Sequence, residues 1–70
     1  MTLISAITDV KTARRAHGYF KRRSWLGKIT RDGYTTLSLF VPVGVTTNDA
    51  LVHLQEQVRP ADHVFVEPGP

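Results

Sequence analysis

The chain has no cysteine, one methionine and one tryptophan among its 70 residues, and its first 31 positions hold a single carboxylate, Asp9. Without cysteine there is no disulfide and no thiolate zinc site, the two devices that most often support a very small domain. No apolar run reaches the about 20 residues that span a bilayer. The opening MTLISAITDV has neither the basic head nor the long apolar stretch of a secretory leader. The sequence therefore reads as a cytoplasmic protein with no membrane partner. Glycine-rich phosphate loops are missing too, because Gly18, Gly27, Gly33 and Gly44 match neither nucleotide fingerprint.

What is present is a folding chain, 41% hydrophobic and 21% charged, outside the low-hydrophobicity, high-charge range that stays disordered. Its length allows one domain at most, residues 1–70, with little apolar area to offset chain entropy. A core that small favours self-association, and a homodimer is the simplest expectation.

Apolar and small residues at Leu3, Ala6, Ile7, Val10, Ala13 and His17 fall near one side of a helical wheel, which predicts a helix over about 2–17 with Gly18 as its C-cap. A competing reading makes Thr2–Thr8 a strand, since Ile4, Ile7 and Thr8 are β-branched, and starts a shorter helix after Thr8 or Asp9. Tyr19 to Arg22 could add a further strand. The stretch from Trp25 to Val41 predicts a β-hairpin, about 25–31 and 34–41, turning at Arg31-Asp32-Gly33. That turn pairs Thr30 with Tyr34 and Ile29 with Thr35. One face then collects Trp25, Ile29, Leu37, Leu39 and Val41, and the other Leu26, Lys28, Thr30, Tyr34, Thr36, Ser38 and Phe40.

Thr46 or Thr47 as N-cap, with Asp49 in the first turn, predicts a second helix over about 47–58 that buries Leu51, Leu54 and Val58 with Ala50 alongside and ends at Pro60. Val64, Phe65 and Val66 give a short strand at about 63–67, before a Pro68-Gly69-Pro70 tail expected to fray. Helix, hairpin, helix and strand together indicate an α+β domain with a small antiparallel sheet.

Charge is the strongest functional signal. Eight of the nine Lys and Arg lie between Lys11 and Arg31, so residues 1–31 carry +7 and residues 32–70 carry −4. Confined to one stretch, the cations can form a coherent field whose natural complement is a phosphate backbone. The candidate contacts are Lys11, Arg14, Arg15, Lys21, Arg22, Arg23, Lys28 and Arg31, with Tyr19 and Tyr34 as aromatics that could stack on bases. An acidic protein surface would respond to the same field, and Tyr, Trp and Arg also dominate protein interfaces.

Three histidines raise the question of chemistry. Asp49, His53 and Glu56 lie about one turn apart, and His63 could join them, but an ordinary solvated helix presents the same set, so no metal and no cofactor are expected. His17 among arginines lacks the positioned partner that general acid–base catalysis needs. The sequence thus reads as a binding protein, not an enzyme.

The run GYFKRR, then WLGKI, a turn at Asp32-Gly33, a strand and the TTNDA helix start together resemble the AP2-type and integrase arm-binding domains over about 40 residues. That resemblance implies a three-stranded sheet docked on duplex DNA. Departing from the pattern, ALVHLQEQV replaces the alanine-rich helix, and the N-terminal segment and C-terminal strand have no counterpart. The expectation that follows is a small basic protein binding nucleic acid, DNA in preference to RNA. The alternative is a protein-binding modulator, such as a phage or plasmid accessory protein inhibiting a host complex.

Overall fold

In the computed structural model, which describes residues 2–59 and 63–67, six elements follow one another: β1 (Leu3–Ile7), α1 (Val10–Lys21), β2 (Gly27–Arg31), β3 (Thr35–Phe40), α2 (Thr47–Gln57) and β4 (His63–Val66). The strands form one antiparallel sheet in the order β2-β3-β1-β4. Both helices pack on the same face, α1 over β2 and β3, α2 over β1 and β4. This is an α+β domain with the split β-α-β, or ferredoxin-like, topology. Pro60 and the Pro68-Gly69-Pro70 tail lie outside the described residues.

The helix expected over 2–17 is replaced by β1 and a later helix. Leu3–Ile7 sits between β3 and β4, so its backbone is paired on both sides and Ile4, Ser5 and Ala6 are fully buried. A central strand of this kind favours β-branched residues. α1 starts at Asp9, whose carboxylate accepts from the Thr12 N–H at 3.1 Å and from the Thr12 hydroxyl, satisfying an otherwise orphaned donor.

Gly18 is not a cap, and Tyr19 to Arg22 is not a strand: both belong to α1 and its first C-terminal residue. Phe20 is the reason, because a fully buried ring one turn beyond Ala16 on the Ala13–Ala16 face rewards continuation by about 1.5–3 kcal/mol. The helix ends instead in a Schellman arrangement. The Trp25 N–H donates to the Phe20 carbonyl at 2.9 Å and the Ser24 N–H to the Lys21 carbonyl at 3.0 Å, with Ser24 at φ +68°. The Phe20 and Trp25 rings, 4.8 Å apart, supply the apolar contact that usually accompanies this cap.

The hairpin places Trp25, Leu37 and Leu39 inward as expected, but its register differs by two residues. Thr30 pairs with Thr36, Ile29 with Leu37 and Gly27 with Leu39, so the loop is Asp32-Gly33-Tyr34, with Gly33 at φ +77°. A two-residue shift leaves every side chain on its own face. Gly27 is required by the actual pairing: a Cβ there would lie 2.5 Å from Leu39 Cδ2 and from the Ser38 carbonyl oxygen. α2 begins with Thr46 accepting from the Asp49 N–H at 3.1 Å, and it buries Ala50 and Leu54 while Val58 closes it. The three-stranded sheet implied by the resemblance is not formed, since GYFKRR lies in α1 and its turn, and the sheet has four strands.

Candidate nucleic-acid interface

At 100° per residue, the face of α1 opposite Ala13, Ala16 and Phe20 carries Lys11, Arg15 and Arg22 in a narrow arc, flanked by Arg14 and Lys21. All five are exposed. They span about 16 Å of helix axis at 1.5 Å per residue. Asp9, the one acid of this half of the chain, is occupied at the N-cap. The Thr12 hydroxyl and then the Thr12 N–H hold its carboxyl below its ordinary value. The sequence pattern could not separate this stripe from the rest of the basic stretch, because it did not fix where the helix began.

The remaining candidates go elsewhere. Arg23, just past α1, lies with its guanidinium carbon 3.6 Å from the Tyr19 ring centroid and donates to the Tyr19 carbonyl at 3.1 Å. Tyr19 is thereby covered on one face, and its hydroxyl shares a 2.7 Å hydrogen bond with His53 Nε2. Phe20, Trp25 and Tyr19 all lie edge-on to the His53 imidazole at 5.0–5.6 Å. His53 therefore ties α1 to α2 through an aromatic cluster and points toward Tyr19, away from any shared site with Asp49 and Glu56. His17 donates through Nε2 to the Gly27 carbonyl at 3.2 Å, fixing α1 against β2.

Lys28 sits on the other side of the molecule. The strand register lays out the helix-free face of the sheet as rows: Leu26, Phe40, Leu3, Glu67, then Lys28, Ser38, Ser5, Phe65, then Thr30, Thr36, Ile7, His63. Lys28 thus points away from the α1 stripe. At the centre of this face Ser5 donates to Glu67 Oε1 at 2.6 Å, Ser38 reaches the same oxygen at 3.3 Å, and the two hydroxyls are 3.0 Å apart. Lys28, Thr30, Thr36, Ser38, Leu3 and Glu67 line a cleft of about 260 Å³ beside them. This polar centre was not legible in the sequence, since its members lie 33 and 62 positions apart.

Arg31 shares a row with Thr35 and Thr8, which places it at the end of the sheet where α1 begins. With Tyr34, which is 62% exposed, it lines an open concavity of about 510 Å³ at the hairpin tip. The structure therefore brings Lys11, Arg14, Arg15, Lys21 and Arg22 onto one surface. Arg31 lies at that surface's end of the sheet, Arg23 folds onto Tyr19, and Lys28 is on the opposite face. Compared with protein-family models, with curated proteins and with solved structures, the chain matches none.

Proposed function

We propose that this protein is a homodimer that binds nucleic acid, duplex DNA in preference to RNA, through the outer face of α1. The observation that carries the reading is the stripe of five exposed cations opposite a fully apolar inner face. A helix about 10–12 Å across suits the major groove of B-form DNA, whereas the deep, narrow groove of A-form RNA does not admit it. Arg31 and the exposed Tyr34 add contacts at the N-terminal end of the helix. The contacts are electrostatic, and they position the protein without reading bases.

Titration of random duplex DNA by fluorescence anisotropy from low to moderate salt tests the proposal. Five phosphate contacts give a slope of log affinity against log salt of roughly −4.5. Absence of binding at low salt overturns it.

One observation favours a second reading, a modulator that docks on an acidic protein surface. Leu26 (71% exposed) and Phe40 lie side by side at one end of the helix-free face, with exposed Val43 three residues on and Lys28 in the next row. Contiguous apolar exposure of this kind marks interaction sites. Loss of partner capture in Leu26→Asp, with DNA affinity unchanged, would separate the two surfaces.

A further inference from the structure

We infer that the two copies join edge to edge through β4, in a register centred on Phe65, to make one eight-stranded sheet. This rests on the homodimer half of the reading above and is independent of the nucleic-acid half. Among the described residues β4 pairs with β1 alone, so one of its sides is an open edge. The Glu67 N–H donates to the Leu3 carbonyl at 2.9 Å. By alternation along the strand, Val64 and Val66 turn their N–H and C=O groups outward.

The other edge of the sheet is protected against its own copy. β2 carries Lys28 and Arg31, and edge cations oppose self-pairing. β4, with the sequence HVFV, has no formal charge at neutral pH with its histidine uncharged.

A two-fold axis perpendicular to the sheet at Phe65 satisfies the edge. It opposes Val64 to the partner's Val66, so that all outward N–H and C=O groups of the two valines exchange hydrogen bonds. Phe65 then meets the partner's Phe65 as a non-hydrogen-bonded pair about 4.5 Å apart at Cα, a favourable aromatic cross-strand pair. His63 meets the partner's Glu67, so that an imidazole and not a second carboxylate stands opposite each carboxylate. Centring the pairing on Val66 instead would set Val64 against the partner's Pro68, which has no N–H to give.

The helix layer agrees with this pairing. α2 lies over β1 and β4, so the axis places it and its copy about two strand spacings apart, roughly 9.6 Å. That is an ordinary interaxial distance for packed helices, 8–10 Å as a rule of thumb. His53 marks the flank of α2 that faces α1; the opposite flank, above the open edge, carries Leu51, Val52 and Gln55 and no carboxylate. Val52 is 50% exposed, and it lines a groove of about 260 Å³ with Gln55, Glu56 and Arg59. Glu56 at the rim of one copy can face the partner's Arg59.

Because the chain has no cysteine, single-cysteine variants test the interface. Sedimentation of the wild type gives a mass twice that of the chain. Under mild oxidation Phe65→Cys cross-links about ten-fold or more faster than Val43→Cys or Thr30→Cys, because pairing holds its thiols at high effective concentration. A wild type that stays monomeric up to about 1 mM overturns the inference, even if Phe65→Cys fails to fold. So does a dimer in which Thr30→Cys or Val43→Cys cross-links as fast as Phe65→Cys. If monomers still bind DNA with the expected salt slope, only the interface has failed; a dimer that ignores DNA sinks only the α1 reading.

Discussion

The Tyr19 hydroxyl lies 2.7 Å from His53 Nε2, joining the last turns of α1 to the middle of α2 across 34 positions of sequence. Arg23 stacks on the outer face of the same ring, so the basic end of α1 is anchored to the core through one phenol. Tyr19→Phe keeps the ring and the stack but removes the hydrogen bond and leaves the imidazole nitrogen without its partner. The expected loss is about 1 kcal/mol, or roughly 4–8 °C in Tm for a domain of this size. Thermal unfolding by circular dichroism measures it; an unchanged Tm would mean that the bond contributes nothing.

The glycine and the serine near the end of α1 occupy each other's preferred places. Gly18 is inside the helix, where an added Cβ would come no closer than 3.4 Å to the movable Arg22 guanidinium. Ser24 holds the left-handed position at φ +68°. Gly18→Ala should therefore stabilise by about 0.5–1 kcal/mol, and Ser24→Gly by about 1 kcal/mol. Chemical denaturation of the two variants checks both signs.

At Gly27 the opposite holds. The Cβ of Gly27→Ala would lie 2.5 Å from both a buried leucine methyl and a backbone carbonyl, so β2 and β3 must separate or Leu39 must leave its rotamer. The expected cost is about 1–3 kcal/mol. A denaturation midpoint equal to wild type would show that the pairing of Gly27 with Leu39 is wrong.

The cation stripe predicts a graded response. Arg15→Gln with Arg22→Gln removes two phosphate contacts from the centre of the arc, which should lower the magnitude of the salt slope by roughly 1.8. Lys28→Gln, on the far face, should leave the slope where it was. Anisotropy titrations at several salt concentrations compare the three proteins, and equal effects at Lys28 and on α1 would refute the assignment to the helix face.

Asp9 contributes to stability on the acid side. Its folded pKa is lowered from the ordinary 3.8, chiefly by the Thr12 hydroxyl and then by the Thr12 N–H. A lowered folded pKa means that its contribution is complete above the unfolded value and is lost as pH falls below about 3.8 through the folded value. Asp9→Asn keeps a cap without the titration. Its stability should fall less than that of the wild type between pH 5 and the acid limb, as measured by unfolding at a series of pH values.

Alternation and caps encode the features that depend only on short distances along the chain. The two faces of the hairpin, a threonine cap of α2 at Thr46 or Thr47, the strand at Val64 and the division of charge at residue 31 all follow from neighbouring residues. The rest depends on contacts between residues far apart in the chain. Residues 3–7 carry a pattern that either a helix or a strand could use, and only pairing with β3 on one side and β4 on the other makes the strand the lower state. Gly18 looked like a helix end until Phe20 claimed a place in the core and Trp25 closed the cap behind it. The basic stretch was continuous in sequence, yet Lys28 on β2 points to the opposite side of the sheet from the cations of α1. Local propensity fixes which residues share a face, but which way that face points depends on contacts tens of residues apart.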